Sequence, residues 1–241
     1  MYGRHTAKSI LANPQRKIEK ILCTKNTVDL VPQNLQNRVS LTDKLSIEKY
    51  LEKNSIYNCL HQDIVVVTED LAQPSLYDVV SNSQLLVLLD ELQDSQNIGA
   101  IMRSAALFNA NAVISTLHNS PEENPHILKA ACGAFEILPF IKVVNLSQTI
   151  RTLKEHNFWL IGMSCERSES LYKIGQKFNN RDKIAIVVGN EESGMRKSTE
   201  KNCDFLITIP VNKKCGVDSL NASNAAAIFL YEISKIFSLE S

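Results

Sequence analysis

A chain of 241 residues with 44% hydrophobic and 22% charged residues can bury a large core without covalent staples. Its 26 basic and 26 acidic residues cancel, so no overall charge draws it to a polyanion, and no apolar run approaches the roughly 18 residues that cross a bilayer. The start, Met1-Tyr2-Gly3-Arg4-His5, lacks the apolar stretch of a secretory signal, so a cytoplasmic protein with no membrane partner is expected.

Residues 6–11 read as a short helix ended near Pro14, residues 18–23 as a strand, residues 41–51 as a helix by spacing, and Ile64-Val65-Val66-Val67-Thr68 as a strand. This forms a small α/β unit. Residues 1–60 hold ten Lys/Arg against five Asp/Glu, a net +5 that leaves −5 for the remainder. Such asymmetry suits a polyanion-binding end, or a solvated lysine-rich surface. Pro74 and Ser81-Asn82-Ser83 mark a connector. From Leu85 the order is strand 85–89, helix 98–108, strand 112–115, helix 127–131, strand 140–144, helix 148–156 and strand 158–163. Strand 184–188, a short helix from Met195, strand 205–209 and helix 220–237 follow. Strands alternating with helices predict a mainly parallel sheet covered on both faces, with ligands beyond the carboxyl ends of the strands.

Three polar clusters fall at strand-to-helix junctions. In the first, Asn97 stands where an N-cap is expected, and Gly99 lets another backbone approach closely. Arg103 follows, either as a partner for Asp90 or Glu91 or as a clamp for phosphate or carboxylate. The second, Gly189-Asn190-Glu191-Glu192-Ser193-Gly194, has the glycine spacing of a phosphate loop. Met195 replaces the required lysine, however, and two acids would repel phosphate. It suits a ligand with hydroxyls or a positive centre. The third runs from Ile209-Pro210 through the turn Lys213-Lys214-Cys215-Gly216 to Asp218-Ser219-Leu220-Asn221-Ala222-Ser223-Asn224. It reads equally as a helix cap with a small-residue face or as a grip on a polar ligand. Six cysteines without a CxxC pair indicate neither a zinc site nor a disulfide framework, and no metal is expected.

In this order and at these junctions the clusters closely resemble the three motifs of the SpoU (TrmH-type) ribose 2′-O-methyltransferases, a branch of the SPOUT superfamily. Residues 97–105 resemble the first, residues 189–195 the second, and residues 209–210 with 219–223 the third. Tyr2-Gly3-Arg4-His5, His61-Gln62-Asp63-Ile64-Val65 and Cys132-Gly133-Ala134-Phe135-Glu136 are similar to the bacterial subgroup that methylates a guanosine ribose in large-subunit ribosomal RNA. Asp63 departs from that subgroup's usual glycine.

The resemblance implies an α/β, SPOUT-type parallel sheet with a C-terminal deep trefoil knot, preceded by a small α/β RNA-binding domain. Its divisions would be a substrate-binding domain over 1–75, a linker over 76–84 and a catalytic domain over 85–241. It implies S-adenosyl-L-methionine as cofactor, held by Gly189, Ile209 and Leu220, a catalytic set of Asn97, Arg103, Glu191, Ser219 and Asn221, 23S rRNA as partner, and a homodimer. A transfer RNA methyltransferase and a non-catalytic ribosomal-RNA assembly factor are the alternatives. Arginine, with a pKa above about 12, is a poor base, so Arg103 is expected to stabilise the developing alkoxide and a nearby phosphate.

Overall fold

The computed structural model describes residues 1–164, 169–212 and 219–237. The turn 213–216, the middle of the third cluster, and the following residues 217–218 lie outside the described residues.

The first 68 residues build α1 (Arg4–Ala12), β1 (Ile18–Cys23), β2 (Val39–Leu41), α2 (Lys44–Lys53) and β3 (Ile64–Thr68). β1 is central in a three-stranded sheet, parallel to β2 and antiparallel to β3. The helix expected over 41–51 starts later, because Leu41 pairs in β2 and Asp43 caps α2 by accepting from Ser46 N at 2.7 Å. Asp63, in the place of a glycine, takes φ +66°. Asp is among the few side chains that tolerate this left-handed conformation, and here its backbone N–H donates to His61 Nδ1 at 3.1 Å.

After α3 (Leu76–Asn82) come β4 (Leu85–Leu89), α4 (Ser95–Leu107), β5 (Ala112–Thr116), α5 (Pro125–Ala131), β6 (Phe140–Val143), α6 (Leu146–Glu155) and β7 (Phe158–Met163). The two-residue β8 (Glu169–Ser170), β9 (Lys183–Val188), α7 (Lys197–Glu200), β10 (Phe205–Thr208) and α8 (Ala222–Phe237) complete the order. The sheet is parallel in every pair, in the order β6-β5-β4-β9-β7-β10-β8. Leu85, Val87 and Leu89 belong to one buried cluster, and Leu86 and Leu88 to another on the opposite face. This two-sided burial is why β4 reads as an unbroken apolar run.

Strand order reverses between β4 and β9, where the chain, having moved out through β5 and β6, returns to lie beside its own first strand. Such a reversal leaves a crevice beyond the carboxyl ends of the two strands. Asp90 and Gly189, each one residue past its strand, stand at that crevice. On the first face a single cluster also takes in Ala7, Ile10, Ile21, Ile64 and Val66, so the amino-terminal unit shares core with the large sheet.

Candidate functional site

The first junction is organised by Asp94, which caps α4 by accepting from Asn97 N at 2.8 Å. Asn97 is therefore not the cap expected from the sequence; it lies in the first turn, 8% exposed. Its side chain is thus released to face the other junctions. Nδ2 donates to Glu191 Oε1 at 2.7 Å, and Oδ1 accepts from Asn221 Nδ2 at 3.0 Å. Gly99 admits α5, since a Cβ there would stand 2.5 Å from the carbonyl oxygen of Ile127.

The second junction is a tight loop. Asn190 and Gly194 exchange two backbone hydrogen bonds of 3.0 Å, and a Cβ on Gly189 would lie 2.4 Å from Gly194 C and Met195 N. Position 189 accepts no side chain for that reason. Asn190 Oδ1 accepts from Glu192 N at 2.9 Å and its Nδ2 donates to Glu91 O at 3.2 Å. Glu191 is thereby presented to Asn97, to Asn221 and to Ala222 N, the last at 3.4 Å.

At the third junction Asn221 has two functions. Its Oδ1 accepts from Ser223 N at 3.0 Å, Ser223 Oγ at 2.6 Å and Asn224 N at 3.3 Å, which caps α8, while its Nδ2 reaches Asn97 and Glu191. The two sequence readings of this segment are compatible because a carboxamide carries an acceptor and a donor on opposite corners. The helix starts at Ala222, two residues later than expected. Ser219 and Leu220 precede it, both exposed, and Ile209 lies half-buried one residue past β10.

Three of the expected site residues, Asn97, Glu191 and Asn221, thus form one hydrogen-bonded group. Arg103 does not join it. Six positions along a helix of 3.6 residues per turn place it on a different side of α4, exposed, with Nη1 3.5 Å from Cys132 Sγ. It lines a cleft of about 630 Å³ together with Asn13 and Pro14 of the amino-terminal unit, Leu107, Glu136 and Ile137.

Arg103 is not the partner of Asp90 or Glu91 either; sequence reasoning missed Arg196. The Asp90 carboxylate is 0% exposed and accepts from Arg196 Nε at 2.7 Å and from the Arg196 backbone N at 2.9 Å, with Nη2 also 2.7 Å away. Arg196 Nη1 lies 3.6 Å from Glu91. An acid directly after five apolar strand residues demands a cation, and Arg103 and Arg196 both follow glycine motifs. Spacing alone does not choose between them. Beneath the same loop, burial pushes the Cys203 thiol up to about 12, which leaves it protonated and unsuited to nucleophilic work. Among the described residues no His/Cys/Asp/Glu group is arranged to hold a metal ion, and no helix is long and apolar enough to cross a membrane.

Comparisons with known proteins converge. A model of the SpoU rRNA Methylase family matches residues 84–231. The 23S rRNA (guanosine-2′-O-)-methyltransferase RlmB of Coxiella burnetii is 36% identical, over 98% of this chain and 94% of its own length. The enzyme of the same name from Escherichia coli K12 is 33% identical over 96% of each. Among solved structures, an AdoMet-bound rRNA methyltransferase from Sinorhizobium meliloti superposes with a TM-score of 0.80 at 20% identity, covering 100% of this chain and 87% of that one. The SpoU methyltransferase AviRb from Streptomyces viridochromogenes, in complex with AdoMet, gives 0.77 at 20% identity over 98% and 88%. At that identity the likeness is one of fold.

Proposed function

This chain belongs to the SpoU rRNA methylase family, and from that premise we propose that it transfers a methyl group from S-adenosylmethionine to the ribose 2′-hydroxyl of a guanosine in 23S rRNA. The observation that carries the reading is the joining of Asn97, Glu191 and Asn221, which come from three separate junctions, at one place. Full-length relatives named for 23S rRNA favour that target over transfer RNA and over a non-catalytic role.

The loops fit the cofactor. The turn closed at Gly189 presents backbone groups and the carboxylates of Glu191 and Glu192, which suit a cationic ligand and repel a phosphate. Gly189, Ile209 and Leu220, the last 39% exposed, would hold it, mostly through backbone. When bound, S-adenosylmethionine supplies an electrophilic methyl group on sulfur. Asn97, Glu191 and Asn221 brace the loops against one another, and Ser219 orients the ribose. Positioning of this kind contributes several kcal/mol of rate enhancement. Arg103 keeps its proton and, facing the cleft on the other side of α4, would stabilise charge growing on the 2′-oxygen only of a ribose that reaches that side, with a phosphate or water taking the hydroxyl proton.

The remaining features belong to the same proposal. Membership of the SpoU family supports a C-terminal trefoil knot. The exposed Ile228 and Tyr231 of α8 support a homodimer. The net +5 of residues 1–60 supports an RNA-binding role for the unit over 1–75, and a ribosomal-RNA substrate supports a cytoplasmic location. The test is to map 2′-O-methyl groups on ribosomal RNA from cells lacking the protein. One guanosine of 23S rRNA should lose its methyl group, to be restored by the wild-type chain and not by Arg103→Lys. An unchanged map would overturn the function, and restoration by Arg103→Lys would overturn the role of the guanidinium.

A further inference from the structure

Three helices enclose the cleft beside Arg103, and their charge is one-sided. α1, α4 and α5 together carry Arg4, Lys8, Arg103 and Lys129 and contain no Asp or Glu. All four side chains are exposed, and none joins an ion pair among the described residues. Glu136, the acid that lines the cleft, is directed inward. Its carboxylate accepts from Arg16 Nε at 2.9 Å, Arg16 Nη2 at 2.8 Å and Asn13 Nδ2 at 2.8 Å. The same Arg16 Nη2 holds Glu123 at 2.6 Å, and its own side chain is fully buried. Both acids are thus held beneath the surface by one cation that never reaches it, which leaves that buried group one negative charge in excess. In a chain of zero net charge, the exposed side of these helices is a cationic strip, with Arg4 and Lys8 on α1, Lys129 on α5 and, in the cleft itself, Arg103 on α4.

We infer that this strip, at the seam between the amino-terminal unit and the large sheet, seats the phosphodiester backbone of single-stranded RNA leading to the target nucleotide. The inference rests on the proposed function. Arg103 in the cleft and unpaired cations on the helices that flank it fit a chain of phosphates, and the exposed apolar side chains of Pro14, Leu107 and Ile137 offer a surface for an unstacked base. Because Arg16, four residues past α1, is tied to Glu123 and Glu136 on either side of α5, the strip exists before RNA arrives.

The test uses the full-length double variant Lys8→Gln/Lys129→Gln and a protein-free 23S rRNA transcript. A control, Lys44→Gln/Lys53→Gln, removes equal charge from α2. The strip variant should bind the transcript several-fold more weakly, with a salt dependence flatter by about 1.4 in log–log slope if each lysine meets one phosphate of a single strand. S-adenosylmethionine affinity and sedimentation should not change. Unaltered RNA affinity and slope would overturn the inference, as would equal flattening in the control. Wild-type RNA binding with altered sedimentation would overturn it as well, by assigning this face to a second copy of the chain. Methyl transfer by the wild-type protein to the same transcript scores the proposed function separately, since the slope is read without cofactor.

Discussion

Asn97 Nδ2 donates to Glu191 Oε1 at 2.7 Å across 94 positions of sequence, so the start of α4 and the loop after β9 are held by one hydrogen bond. The oxygen is shared with Asn221 Nδ2, so a single carboxylate ties three junctions. Glu191→Gln replaces one acceptor with a donor that faces other donors. It should cost about 1–2 kcal/mol of stability and weaken S-adenosylmethionine binding together with turnover. Calorimetry and methyl-transfer assays check this; wild-type values for both would remove Glu191 from the site.

Arg196 balances the buried Asp90 and should be structural as well as local. Arg196→Met leaves an uncompensated carboxylate at 0% exposure, at a cost of about 3 kcal/mol. Adding Asp90→Asn should return part of that loss, because the two residues act as a pair. A double variant no more stable than Arg196→Met alone would show that the pair is not coupled.

Arg16 gives a pH signature. Burial pushes the Glu123 carboxyl up, while Arg16, hydrogen-bonded to it, pulls the other way. Between the unfolded carboxyl value of about 4.3 and the raised folded value, the folded state holds more protons, so stability falls as pH rises. Removing Arg16 raises the folded value further. In Arg16→Met the decline should therefore extend to higher pH than in the wild type, as followed by denaturant midpoints at several pH values. A parallel pH dependence in the two proteins would contradict the arrangement.

Thiol chemistry should separate the described cysteines by burial. Cys203 is pushed up to about 12 by burial, Cys23 is also raised by burial, and Cys132 is exposed beside Arg103. A small alkylating reagent near neutral pH should modify Cys132 well before Cys203, as peptide mass spectrometry would show. The adduct should slow methyl transfer by crowding Arg103. Modification of Cys203 first would mean that the loop over it opens readily.

The alternation of strand and helix from Leu85 onward was legible because two-sided burial leaves unbroken apolar runs, and period alone places the strands of a parallel sheet. The ordered motifs exposed the same three junctions that the fold brings together. Asn97, Glu191 and Asn221 were named from the sequence, and the structure joins them. Boundaries were less legible: Asp43 and Asp94 cap their helices at positions that periodicity does not mark, and Asn221 caps α8 with the side chain that also reaches the site.

By itself, then, the sequence determined where the strands run, which junctions are polar and which residue types stand there, because local spacing and turn chemistry are written in neighbouring positions. Only the tertiary structure decided which partner each polar group takes. Asp90 selects Arg196 over Arg103, and Arg103 turns toward the amino-terminal unit, because a buried charge takes the cation that the sheet order places at its own crevice.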